Sequence, residues 1–116
     1  MIVSGGNDDP ILEPLSVTTT NAGPGNMMIT VCGEIDFMTS EFLDTEFCQA
    51  LDPAPRSLVV DLNGVDFCDT SGLSVLVGLT TRCGADRIAV RFLPSTTIRR
   101  LLQRTGLSGL LPIAES

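Results

Sequence analysis

The sequence predicts a single α/β domain built on a mixed β-sheet, with an opening antiparallel hairpin, then parallel strands, packed with α-helices. Three observations point there. Two stretches of strand character near the start are separated only by turn residues, as a hairpin requires. Further along, apolar strand-like runs alternate with stretches of helical periodicity, the pattern of parallel strands joined by crossover helices. The chain has 116 residues, 43% of them hydrophobic. That is the size of one domain, able to bury about two-thirds of its unfolded surface without a metal or a disulfide.

Each element has its own local reason. Residues 1–10, with the run Gly-Gly-Asn-Asp-Asp-Pro, read as a flexible leader, and residues 11–116 as the domain. Leu12–Thr20 is rich in Val and Thr and suits a strand. Asn21-Ala-Gly-Pro-Gly-Asn26 is turn material. From Met27 to Ile35, Met28, Thr30, Cys32 and Glu34 alternate against Met27, Ile29, Val31 and Gly33, which is strand periodicity. A helix is predicted from Thr39 or Ser40 to Leu51, because Leu43, Phe47, Ala50 and Leu51 fall at helical spacing with Phe42 beside them. Thr39 or Ser40 caps it, Glu41 suits the positive end of its dipole, and Asp52-Pro-Ala-Pro55 stops it.

The second half repeats the alternation. Leu58–Leu62, an apolar run broken only by Asp61, suits a central strand covered on both faces. A second helix is predicted from about Ser71 to Arg82, ending near Gly84. Ile88–Leu93 reads as a strand. Pro94-Ser95 opens a third helix with Ser95 as N-cap, Ile98, Leu101 and Leu102 inward, and Gly106 at its end. The tail, Leu107–Ile113, is expected to lie on the body as a short turn or strand. With no Trp and no Tyr, the core must be aliphatic with a few Phe.

Composition removes several functions. Net charge is −7, from fourteen acids against seven Arg and no Lys, which argues against nucleic acid as a partner. The chain has no His, so neither a Ser-His-Asp nor a Cys-His unit can form, and no nucleotide-binding glycine run is present. It is read as not an enzyme. Cys32, Cys48, Cys68 and Cys83 form no CxxC pair; they read as buried or half-buried free thiols of a reducing cytosol, with no metal and no cofactor expected. No apolar run approaches the roughly 20 residues of a bilayer span, and Met1–Pro10 lacks the features of a signal peptide. A cytoplasmic protein with no membrane partner is predicted. Arg99, Arg100 and Arg104 give the third helix a basic edge that reads as a solvated face.

The informative run is Asp66-Phe-Cys-Asp-Thr-Ser-Gly-Leu-Ser-Val-Leu-Val-Gly-Leu79. Thr70 and Ser71 fall where a helix begins, against unpaired backbone N–H groups. A hydroxyl there can cap the helix or carry a phosphate, since the positive helix end tolerates an anion. Asp69, Thr70 and Ser71 in a row are more than capping requires. Along the helix, Leu73, Leu76, Val77 and Thr80 form a stripe for the sheet. Val75 and Leu79, with the small residues Ser74 and Gly78, lie off it. That second face is either covered by the third helix or the tail, or open to a partner. Gly72 allows close approach at Ser71, and Gly78 lets another surface, a partner's or this chain's own sheet, lie on the helix. Cys68 places an oxidisable thiol beside the loop.

Taken together and in register, four segments resemble a STAS domain, and specifically the stand-alone anti-sigma-factor antagonists of bacteria. Val31-Cys-Gly-Glu-Ile-Asp36 is similar to that family's strand ending in Gly-Glu-Leu-Asp, and Val59-Val-Asp-Leu-Asn-Gly-Val-Asp-Phe67 to its central strand. Asp69-Thr-Ser-Gly-Leu73 resembles its phosphorylation loop, and Thr105-Gly-Leu107 with Leu110-Leu-Pro-Ile113 its C-terminal end. The resemblance implies an antagonist whose unphosphorylated form binds an anti-sigma factor, an ATP-dependent serine kinase of histidine-kinase-like fold, and so releases a sigma factor. Phosphorylation would end that binding and a serine phosphatase would restore it. By position the acceptor is Ser71, with Thr70 as second choice. The implied partner contacts are Asp36, Asp69, Thr70, Ser71, Gly72, Ser74, Val75 and Gly78. Two other readings keep the fold: a STAS accessory subunit of a lipid-transport ATPase, or a binding module whose Ser71 only caps a helix.

Overall fold

The computed structural model describes residues 15–114; the 1–10 leader lies outside them. Strand β1 (Leu15–Asn21) and strand β2 (Asn26–Ile35) form the expected hairpin, paired from Leu15 opposite Gly33 to Asn21 opposite Met27. The turn between them needs glycine. Gly23 and Gly25 sit at φ 124° and 75°, where a Cβ is strained. Helix α1 (Ser40–Leu51) leads to β3 (Ser57–Cys68), helix α2 (Thr70–Ala85) to β4 (Ala89–Pro94), and helix α3 (Thr96–Thr105) follows. The sheet order is β1-β2-β3-β4, antiparallel at the first pair and parallel at the other two. A short 3₁₀ turn, Ser108–Leu110, precedes Ile113, which bridges in parallel to Phe92. The tail is thus both a turn and a strand-like contact.

The core is continuous. Ile29, Val31 and Ile35 of β2, Leu58, Val60, Leu62 and Val65 of β3, and Phe92 of β4 meet Leu43 and Phe47 of α1, Leu76 of α2 and Ile98 of α3. All are essentially sealed from solvent. The apolar spacing of α1 and α3 is borne out residue by residue, and Ser95 caps α3 by accepting from the Ile98 N–H at 3.3 Å. Gly106 ends α3 in the left-handed region at φ 74°.

Strand β3 departs from expectation in two ways. It is not covered on both faces: Leu58, Val60 and Leu62 are buried, while Val59 and Asp61 between them are half-exposed. The helices' buried residues join one cluster with Leu58, Val60 and Leu62, and alternation rather than a solid apolar run describes the strand. It also continues past Leu62 to Cys68. Beyond Leu62 it has outrun β4 and pairs with β2 alone, through two register shifts, between Thr30 and Cys32 and between Gly33 and Glu34. That extension carries the chain up to the Asp69–Ser71 turn.

Candidate functional site

The site lies at the carboxyl ends of the parallel strands β2 and β3, where loops of an open α/β sheet gather. Ile35 pairs with Cys68, and the Asp69 N–H donates to the Ile35 carbonyl at 3.1 Å. The turn into α1 and the turn into α2 are therefore neighbours. Asp36 and Asp69, distant in sequence, lead these two adjacent turns.

The turn into α2 differs from the sequence expectation at its first residue. Asp69 is the N-cap. Its backbone is extended, and its Oδ1 accepts from the Gly72 N–H at 3.1 Å. Thr70 and Ser71 are helical already, so Ser71 is not the cap. Among the described residues neither hydroxyl makes a hydrogen bond, Thr70 being exposed and Ser71 half-buried. The physical reason is direct: one carboxylate does the capping, and two hydroxyls are left over at the positive end of a helix 16 residues long.

Gly72 has a structural cause. A Cβ there would collide with the Ile35 Cγ2 and stand 2.9 Å from the Cys68 sulfur. The glycine lets α2 start against β2, which fixes Ser71 at the sheet's end. Gly78 is the opposite case: a Cβ would meet nothing within 4 Å. Of the two surfaces that could explain it, the chain's own sheet is not the one.

The two faces of α2 are also reassigned. Leu79 is buried, with Leu73, Leu76 and Cys83, and Val75 is half-buried against the core. Val77, expected to face the sheet, is half-buried against the core like Val75. It lines an apolar groove of about 480 Å³ with Thr70, Leu73, Ser74, Gly78, Leu107 and Leu110. A helix has 3.6 residues per turn, so a shift of its buried stripe by one position exchanges Val77 for Leu79. The groove brings Thr70, Ser74 and Gly78 onto one surface; Val75 does not line it.

The turn into α1 holds its polar groups differently. Asp36 Oδ1 accepts from the N–H groups of Met38 at 2.9 Å and Thr39 at 3.0 Å. Thr39 occupies the cap position but makes no capping bond; its Oγ1 accepts from the Asp36 N–H at 2.9 Å and donates to the Glu34 carbonyl at 3.0 Å. Asp36, expected as a partner contact, is thereby also the residue that folds its own turn. Sequence reading missed the pair that this turn displays. Phe37 is 76% exposed and Met38 82% exposed. Both lie between the end of β2 and the first residue of α1, off any core stripe, and that position was the available signal.

The four cysteines are free. Cys32 is exposed, against the expectation of buried or half-buried thiols, because it sits on the uncovered face of β2. Cys68 is buried, and desolvation, with a smaller contribution from the Asp69 charge, pushes its thiol up to about 12. It stays protonated at neutral pH, so the oxidisable thiol expected beside the loop is a poor nucleophile. Among the described residues, no group of three or more Cys, Asp or Glu is placed to hold a metal ion. No described helix is long and apolar enough to cross a membrane.

This geometry defines a small mixed-sheet α/β domain with two unengaged hydroxyls, one exposed and one half-buried, at the start of α2. The chain belongs to the STAS domain family, whose model matches residues 17–116. It is similar to the anti-sigma-F factor antagonist RsfB of Mycobacterium tuberculosis, 32% identical over 72 residues that cover 61% of this chain and 59% of that protein. The chain thus aligns with under two-thirds of that relative's length. Among solved structures, an anti-sigma factor antagonist from Mycobacterium paratuberculosis superimposes with a TM-score of 0.77 at 24% identity, covering 88% of this chain and 86% of that one. The anti-sigma factor antagonist SpoIIAA in its unphosphorylated form gives 0.69 at 21% identity, with 87% and 90% covered. At these identities the two structures establish the fold.

Proposed function

We propose that this protein is an anti-sigma-factor antagonist controlled by phosphorylation at Ser71. The observation that carries the reading is the unengaged pair Thr70 and Ser71 at the start of α2, with capping already done by Asp69. The relatives named as anti-sigma factor antagonists support it. Unphosphorylated, the protein binds an anti-sigma factor that is a serine kinase and frees a sigma factor. It acts as a binding partner and as a substrate, not as an enzyme.

The switch follows from charge. The Ser71 oxygen takes the γ-phosphoryl group of ATP on the kinase, its proton passes to a base of the kinase, and ADP is left. A phosphate adds about −1.5 to −2 charges. It then faces the diphosphate it has just left. At about 6 Å and an effective dielectric near 20, each unit of like charge costs about 3 kcal/mol. That weakens the complex roughly a hundredfold. The helix end itself accepts the anion, so the fold survives modification. A serine phosphatase resets the protein, and the cytoplasm is where these partners meet.

The test is incubation with the anti-sigma kinase of its own genome and ATP, followed by peptide mass spectrometry. The expected result is one phosphate on Ser71, with the S71A chain unmodified but still binding and S71E binding at least tenfold more weakly. A phosphate on Thr70 alone moves the acceptor by one residue. Equal binding by wild type, S71A and S71E removes the switch and leaves a STAS binding module, such as a transporter accessory subunit.

A further inference from the structure

Two of the five Phe residues, Phe47 and Phe92, are sealed in the core; Phe37, Phe42 and Phe67 are at least 47% exposed. In a chain this poor in aromatics, leaving three in water is costly unless another surface covers them. They gather near one end of the molecule. Phe67 is opposite Glu34 in the β2–β3 pairing, one residue from the Ile35–Cys68 pair that leads into the two turns. Phe37 and Met38 follow Ile35 directly, and Phe42 lies in the first turn of α1.

The turn that displays Phe37 and Met38 is held in place. Besides the bonds from Asp36 Oδ1 and Thr39 Oγ1, the Ser40 N–H donates to the Asp36 carbonyl at 2.9 Å and the Ser40 hydroxyl to the Phe37 carbonyl at 3.2 Å. Side chains presented from such a turn lose little backbone freedom on docking. Aromatic residues and Met are enriched at protein interfaces for the contact area they supply.

Charge says what kind of surface covers them. Glu34, Glu41, Asp66 and Asp69 lie in the same segments, and the chain has no cation from residue 1 to 55 or from 57 to 81. Arg56 and Arg87 lie at the opposite end of the sheet, just before β3 and β4. Apolar side chains whose own segments carry carboxylates and no cation are complementary to an apolar hollow edged by Arg or Lys.

We propose that Phe37 and Met38 are the anchor by which this protein holds its anti-sigma kinase, seated in an apolar hollow edged by basic side chains that meet Glu34, Glu41 and Asp66. This rests on the antagonist reading above and adds the recognition element to it. The anchor is separate from the acceptor: it contributes the same contact before and after Ser71 is modified, and the phosphate weakens the complex locally, against the nucleotide.

The test uses the full chain and the anti-sigma kinase of its own genome, with affinity measured by calorimetry at several salt concentrations. F37S/M38S is expected to keep its melting temperature, since both side chains are in solvent, and to bind at least thirtyfold more weakly. Its phosphorylation should show a raised KM with kcat little changed, the mark of lost uniform binding. E34Q/D66N should bind less tightly at low salt and show a flatter salt dependence. A wild-type chain that binds while F37S/M38S binds equally well overturns the anchor and leaves the antagonist reading intact. An unchanged salt dependence in E34Q/D66N overturns the basic hollow. A wild-type chain that neither binds nor is phosphorylated overturns the antagonist reading, and the anchor with it.

Discussion

The turns into α1 and α2 are built on one plan and use their hydroxyls in opposite ways. Each follows a parallel strand, and in each an aspartate accepts backbone N–H groups just ahead of it in the chain: Asp36 those of Met38 and Thr39 before α1, Asp69 that of Gly72 in the first turn of α2. In the first turn Thr39 is 8% exposed and its hydroxyl both accepts and donates. In the second, Thr70 and Ser71 carry no such bond among the described residues. A hydroxyl that closes a turn is unavailable for chemistry, because esterifying it would break the bonds it makes. A hydroxyl left over at a capped helix can be modified without unfolding anything. The first turn therefore displays fixed side chains, and the second leaves two hydroxyls unbonded.

That contrast can be broken where the two turns touch. Gly72→Ala should have one of the two largest effects. Its methyl would press on Ile35 and Cys68, and overpacking of this kind costs about 1–3 kcal/mol, more than the roughly 1 kcal/mol that Ala gains over Gly in a helix. Thermal unfolding should show a clear fall in melting temperature, and an unchanged one would mean that α2 can move off β2 freely.

Thr39 and Ser71 sharpen the comparison directly. Thr39→Val removes every bond of that hydroxyl and leaves the part-buried Asp36 N–H without its side-chain acceptor, at about 1–3 kcal/mol. Ser71→Ala removes no bond and should change stability by about 0.5 kcal/mol or less. Denaturant titration of both variants decides: equal losses would mean that Ser71 is as structural as Thr39. An effect of opposite sign is expected at Gly78→Ala. Nothing lies within 4 Å of the new methyl, so the helix should gain about 0.5–1 kcal/mol. Kinase affinity measured on the same variant then reports whether a partner approaches the groove beside Gly78.

Local chemistry made much of this legible. The hairpin was readable because Gly23 and Gly25 mark a turn and Ile29 and Val31 alternate with polar neighbours. Helices α1 and α3 were readable because capping residues, apolar spacing and stop signals agree. The site was readable in outline, since Asp69-Thr-Ser-Gly is unusual at a helix start. The assignment of the cap was not, because Asp, Thr and Ser have similar capping preferences. What separates them is where β3 ends, and that depends on its pairing with β2. Phe37 and Met38 escaped notice because exposure of an apolar residue is a fact about neighbours, not about spacing.

By itself the chain determined which segments become strand or helix, that one acidic α/β domain forms, and that hydroxyls cluster at the start of α2. These follow from periodicity, turn residues and charge, all of them properties of residues near one another in sequence. Only the tertiary structure decided which residue caps α2, which face of that helix is buried, how far β3 runs, and that Asp36 and Asp69 lead neighbouring turns. Those depend on the β2–β3 ladder and on the close contact of Gly72 with Ile35, interactions between segments more than 30 residues apart.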